Sequence, residues 1–444
     1  IKCMKKLILI IFIFISSHCS FDNKSGIWKN DNTVDLKKTD RFKDFETLYI
    51  KEKSFNKIII PNKNLDLLLG PIKTTKQWSD EFYQESNNFD NFEYENLNEI
   101  IFKSKKLSRY KVKDKILFDG ENVITTDIKG NIVVYSVNKK EITYKYNFYK
   151  KKFKKIKKNL NIIIEENIIY ASDNFGYLYA LDYEKKKLLW AKNFKIPFRS
   201  NIKIYGNKII TADQNNILHI INKFNGIQLK FIPTEETTIK NDFVNSLALY
   251  GDSLIYLNTF GSLYSINTQN LKINWFASFK ESLDLNITNL FYSNPVIIFK
   301  DKIIIATDPY LYLLNINNGS IIFRTAITSI IKPIISGKYL FIITKDNLLV
   351  CIKINSGQIA YSLNIAEEIA NFFDTKTKSI SIKSLSLANN KLLIFLKNSY
   401  LVQFSKNGKI EKIEKAKSKF ESFPIFIDES VLYMNKNNKL IVLN

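Results

Sequence analysis

Downstream of residue 95 the chain is written in short apolar runs, punctuated by turns rich in Asn, Asp, Lys and Gly. Runs of four to seven residues containing Ile, Val, Tyr, Phe and Leu and bounded by such turns predict strands rather than helices. One stretch displays the unit. Strands are predicted over residues 161–165, 168–172, 177–181 and 188–194, with Asn174-Phe175-Gly176 turning the chain between the second and third.

The unit recurs. Its clearest mark is the end of the third strand, anchored on Asn138, Asp182, Asn222, Asn267, Asn315, Lys353, Ser405 and Asn444. Four residues before each anchor stands an aliphatic residue, from Val134 and Leu178 to Leu401 and Leu440, and one residue before stands another apolar one. The anchors lie about 44 residues apart, the period of a β-propeller with one four-stranded blade per repeat. Eight anchors predict an all-β, eight-bladed propeller of four-stranded antiparallel blades. Gly226, Gly319 and Gly357 follow their anchors by four residues and Gly408 by three, marking a second turn. Eight residues after the anchor come Tyr146, Trp190, Trp275, Phe323 and Tyr361, with Phe231 one further. Rings at that point of each outer strand are expected to pack between blades.

The last repeat ends on its third strand, which would leave an open strand edge. Residues 99–103, Glu-Ile-Ile-Phe-Lys, precede the first repeat and are expected to supply the missing strand, closing the last blade from the N-terminal side. The organisation expected is a signal segment over 1–19, a tether and linker lying outside the ring over 20–95, and the propeller over 96–444.

Charge and composition alter this picture little. Lys and Arg number 66 against 43 Asp and Glu, a net charge of +23. All but four of the basic residues are Lys, and Asn and Ile also run high, so much of the charge reads as background. The densest cluster, seven Lys within residues 150–158, is read as a solvated loop; its rival reading is attraction to an anionic envelope polymer. Three Cys, none adjacent or in a CxxC, and two His exclude a disulfide framework and a Cys/His zinc site. His219 stands where sister repeats carry Tyr and reads as packing; Cys351 reads as a buried free thiol.

At the N-terminus, Met4-Lys5-Lys6 and an apolar run over 7–15 match a secretory signal, too short to span a bilayer. Residues 1–3 read as lying upstream of the true start. Ser16-Ser17-His18-Cys19 resembles a lipoprotein box, with Cys19 as the lipid-attachment residue. Ser16 and His18 depart from the aliphatic and small residues usual there. An export signal makes nucleic acid an unexpected partner.

Ala180-Leu181-Asp182 through Leu188-Leu189-Trp190 is similar to the tryptophan-docking repeat of PQQ-type propellers. With the export signal, Cys19, the polar stretch, Trp78, the closing strand and eight repeats, the chain resembles the BamB-type lipoproteins of the outer-membrane β-barrel assembly machinery. Lys332-Pro333-Ile334, Tyr339-Leu340-Phe341 and Leu348-Leu349-Val350-Cys351 carry the likeness furthest. The resemblance implies a non-catalytic scaffold without cofactor or metal. Such a scaffold would be lipid-anchored to the outer membrane, face the periplasm and dock to the barrel-forming subunit. It could also offer strand edges to unfolded outer-membrane clients. Docking is expected on the long connections 233–245 and 280–294, with Asp242, Phe243 and Phe291 as contact residues; the Arg-Gly pair of the family's docking loop is absent.

The alternative from the same repeats is a PQQ-dependent, quinoprotein-like dehydrogenase. That resemblance demands vicinal cysteines, an oxygen-rich calcium cluster and a catalytic Asp. The sequence has no vicinal Cys and no Asp-x-Asp cluster.

Overall fold

Eight sheets with four-stranded meander cores follow one another along the chain in a computed structural model. It describes residues 19–21, 28–30, 54–62, 65–149, 153, 155–236, 244–280 and 290–444. The chain divides into a unit Ile1–Glu52 and a unit Lys53–Asn444. Of the first, the backbone of a short antiparallel ribbon is described, Cys19–Phe21 against Trp28–Asn30. Of the signal expected over 1–19, residues 1–18 lie outside the described residues.

The architecture is the expected all-β propeller. In blade 2 the strands are Leu160–Glu165, Ile168–Asp173, Tyr177–Asp182 and Lys187–Asn193, each within one residue of expectation. The second and third strands of each blade are buried on both faces, because neighbouring blades pack face to face. This is why Leu340-Phe341-Ile342-Ile343 is continuously apolar instead of alternating. Outer strands are half exposed, as in Lys187–Asn193 and Gln228–Ile232.

Between the second and third strands a side chain organises the turn. Oδ1 of Asp173 accepts from the amides of Phe175 and Tyr177, and Asp127, Asp213, Asn258 and Asn435 repeat the pattern. These caps satisfy amides that the ladder cannot reach. A β-bulge recurs between the third and fourth strands of seven blades, at Ala180/Leu181, Ile220/Ile221 and Ser265/Ile266 among others. It lies one and two residues before the anchor in six of these blades. In blade 1 it falls at Val134/Tyr135, which moves that anchor from Asn138 to Ser136 and the outer-strand ring from Tyr146 to Tyr144. The slip was invisible in the sequence because Ile132 and Val134 are both aliphatic, and Tyr144 and Tyr146 both aromatic.

The rings seal neighbouring blades as expected. Trp190 donates its indole N–H to Lys223 O at 2.8 Å and Trp275 to Ile316 O at 2.8 Å, each reaching the next blade. Gly226 and Gly319, at φ +70° and +71°, lie against those indoles, where a Cβ would stand 2.5 and 2.6 Å from a ring carbon. Phe323 meets Gly357 and Tyr361 meets Gly408 in the same way. Phe231 is the exception. It is 56% exposed, and Lys230 takes the pairing position, its ammonium donating to Leu271 O of blade 4 at 2.7 Å.

Ile100–Lys106 pairs antiparallel with Lys439–Leu443 and completes blade 8. The expectation that residues 20–95 lie outside the ring is corrected for the described part of that span. Residues 54–62 do run along the outside, Ile59 exchanging two backbone hydrogen bonds with Ser362 of the outer strand of blade 6. Residues 78–95, however, enter the ring.

Candidate functional site

Trp78 to Glu95 makes a circuit of the inner strands in blade order. Trp78 exchanges two backbone hydrogen bonds with Phe118 of blade 1, and Ser79 O accepts from Ile164 of blade 2. The Asp80 carboxylate meets the Lys203 ammonium of blade 3 at 2.6 Å. Glu85 O and Ser86 O accept from Leu249 of blade 4 and Ile298 of blade 5. The Asn88 side chain bonds both the N–H and the C=O of Ile335 in blade 6. Asn91–Phe92 adds a parallel strand to Leu387 and Ala388 of blade 7, and Glu95 donates to Glu429 O of blade 8.

The side chains of this plug are what a buried polar segment requires. Asn87 is fully buried. Its amide donates to Leu247 O and Val296 O at 2.9 and 2.8 Å, and its carbonyl accepts from Lys203 at 2.7 Å. One asparagine thereby ties blades 3, 4 and 5 together. An aromatic group carries the apolar half: Trp78 lies 4.5 Å from Tyr83 and 5.6 Å from Phe92, and Phe92 stacks on Phe426 at 4.9 Å.

Cations line the same channel. Lys203 and Asp80 are both buried, and burial pulls the lysine down from its ordinary pKa although the carboxylate opposes this. Lys115 bridges Glu81 at 2.6 Å. Burial raises the Glu81 carboxyl, but Lys115 and Lys113 outweigh it and leave the group below its ordinary value. Burial brings Lys113 down to about 8. Lys332 is pushed well below its usual range, by burial first and then by the ammonium of Lys203.

Two of the cavities beside the plug bear on its chemistry. One, of about 880 Å³, opens where the inner strands end and is polar, with Glu85, Asp90, Glu165 and Lys300 on its walls. The other, of about 390 Å³, opens where the inner strands begin, over Trp78, Phe82 and Phe89.

The residues singled out in the sequence lie elsewhere. Asp242 and Phe243 fall outside the described residues, as do most of 233–245 and 280–294. Phe291 is half-buried against Phe279 and Gly261, at the boundary of blades 4 and 5. His219 packs against Phe194 and Phe198, with Nε2 at 2.9 Å from Asp213. Cys351 is a buried free thiol whose pKa burial raises. Within the Lys run, Lys158 is not solvated. It is buried, its ammonium bonded to Phe153 O and lying over the Tyr149 ring.

A quinone held over a divalent cation does not fit this channel. Its axis is crossed by the protein's own chain, and the carboxylates there that could serve such a cation, Asp80 and Glu81, are already paired with Lys203 and Lys115. Apart from the plug, the surface offers an apolar strip at the boundary of blades 3 and 4. Phe224, Ile227, Leu229 and Phe231 are exposed on and before one outer strand, and Ile273 and Phe276 on the next.

Residues 157–363 match the family model described as outer membrane protein assembly factor BamB. No curated protein matches the chain by sequence. Among solved structures, the chain is similar to BamB from Moraxella catarrhalis, with a TM-score of 0.61 at 11% identity over 78% of this chain and 99% of that one. It is equally similar in shape to the quinohemoprotein alcohol dehydrogenase from Comamonas testosteroni, with a TM-score of 0.61 at 9% identity over 84% and 81% of the two chains. A europium-containing methanol dehydrogenase gives a TM-score of 0.57 at 11% identity over 83% and 89%. At these identities the structural likenesses establish the fold.

Proposed function

We propose that this BamB-like PQQ-repeat propeller is a non-catalytic scaffold of outer-membrane protein assembly, docked to the barrel-forming subunit and anchored through a lipid on Cys19. The observation that carries the reading is the match of residues 157–363 to the assembly-factor family, joined to a fold that spans nearly all of a BamB structure. The plugged channel favours it over the quinoprotein alternative, since the space that would take a quinone is filled by residues 78–95.

Docking is assigned to the apolar strip at the boundary of blades 3 and 4. Gln228–Ile232 is an outer strand whose free edge can accept a further strand, and its side chains are exposed up to Ile232. Large exposed apolar groups beside an open edge are a liability unless a partner covers them. The connections 233–245 and 280–294 leave blades 3 and 4, the same two blades. Of the contact residues expected on these connections, Asp242 and Phe243 lie outside the described residues and Phe291 stands at the boundary of blades 4 and 5.

Affinity purification from native membranes in mild detergent, with mass spectrometry of the mature N-terminus and co-purifying chains, tests the reading. An acylated Cys19 together with a barrel-forming partner is the expected result. An unmodified protein without such a partner, or a purified protein with quinone absorbance, overturns it.

A further inference from the structure

We propose that the cavity where the inner strands begin is a binding site for an organic carboxylate carried on an apolar group. The proposal is independent of the scaffold reading. At about 390 Å³ the cavity has the size of a small-ligand site. Its floor is aromatic, formed by Trp78, Phe82 and Phe89 of the plug, and its rim carries Tyr292, Ile330 and Phe423. Such walls favour an apolar body with a flat or branched group.

The polar groups specify the charge. Four lysines line this space: Lys397 is exposed, and two of the others are already neutralised, Lys115 by Glu81 at 2.6 Å and Lys383 by Asp114 at 3.1 Å. Lys332 pairs with no carboxylate among the described residues. Its ammonium donates to Asn87 O at 2.5 Å and Phe82 O at 3.4 Å, and stands 3.2 Å from the centre of the Phe89 ring. An ammonium held by carbonyls and one ring face, with Asp80 and Glu81 nearby already paired to Lys203 and Lys115, is short of negative charge. A second group in the same wall is also unmet: the buried hydroxyl of Ser384 has no hydrogen-bond partner among the described residues. A cation lacking its anion and a hydroxyl lacking its acceptor suit one monoanionic oxygen ligand.

Calorimetric titration of the full chain with N-acetyl-L-phenylalanine, its amide and acetate tests this, with Trp78 fluorescence as a second readout. The carboxylate should bind at least about ten-fold more tightly than the amide, which lacks the charge, and than acetate, which lacks the ring. Lys332→Met should weaken the carboxylate about ten-fold and leave the amide unchanged. Ser384→Ala, which removes an unpartnered hydroxyl and should keep the fold intact, should weaken it about three-fold at an unaltered melting temperature. A decapeptide ending in Phe separates the sources. Binding as tight as N-acetyl-phenylalanine identifies the ligand as a chain terminus, and loss of binding identifies a free small molecule. Equal affinity for carboxylate and amide, binding unaffected in both variants, or no binding at about 10 mM overturns the proposal.

Discussion

The six-membered ring of Trp190 covers Gly226 of the next blade so closely that a Cβ there would stand 2.5 Å from the indole Cε3. With the indole N–H bonded to Lys223 O, one side chain grips both ends of a neighbouring turn. Gly226→Ala must either displace the indole or open the blade boundary, and it also places a side chain at φ +70°. We expect a loss of roughly 2–4 kcal/mol, read by chemical denaturation. Trp190→Phe should cost about 1 kcal/mol for the lost hydrogen bond, beyond its packing term. The two losses should be less than additive, since both break one contact.

At the boundary of blades 3 and 4 the same device is absent on both sides. Lys230 stands in the ring position, and Leu271, at φ +57°, stands in the glycine position. Lys230→Trp combined with Leu271→Gly should rebuild the contact. The double variant is expected to be more stable than the sum of its single variants by roughly 1 kcal/mol in a double-mutant cycle. A cycle energy of zero would show that the two positions do not communicate.

The buried pair of Asp80 and Lys203 should behave as a unit. Asp80→Asn leaves Lys203 an uncompensated buried cation and should cost roughly 3–5 kcal/mol. Adding Lys203→Met should recover part of that loss, which thermal unfolding of the three variants would show.

Lys113 gives the protein an alkaline dependence. Its pKa is about 8 when folded, below that of a free lysine, so the unfolded chain binds more protons between these values. Stability should therefore rise with pH from about 7.5 to 9.5, by on the order of 1–2 kcal/mol. Lys113→Met should remove its share of this rise in denaturation curves measured across the window, leaving the part that Lys332 and Lys203 contribute.

Docking through the outer strand of blade 3 predicts that Leu229→Glu with Phe231→Glu abolishes recovery of the barrel-forming partner. Both side chains are exposed, so the melting temperature should stay within about 2 °C of the parent. Recovery at the parental level would move the docking surface elsewhere.

The ring was legible in the sequence because each blade repeats one demand. Buried middle strands need continuous apolar runs, turns need Asn, Asp or Gly, and the outer ring needs a neighbour to cover. Register errors arose where two similar residues compete, as with Tyr144 and Tyr146, and where a lysine stands in for the ring, as Lys230 does beside Phe231. The plug was not legible because it has no period. Ser86, Asn87, Asn88 and Asn91 have the composition of a linker, and only the backbone groups of blades 4 to 7 turn them into buried, bonded residues. Trp78 was visible as an apolar residue in a polar stretch, but nothing in the sequence showed that the ring would close around it.

The circuit made by residues 78–95 also sets the order in which the molecule can be built. A segment that touches all eight blades from within behaves as a spindle, and the ring has to be wound onto it. Its first contact joins residues 78 and 118, while the clasp joins Ile100–Lys106 to Lys439–Leu443, more than three hundred positions away. Contacts so distant along the chain make closure slow. Until the final strand arrives, the early one stands as an open edge, and the half-wound molecule is as exposed to unwanted pairing as an unfolded barrel strand.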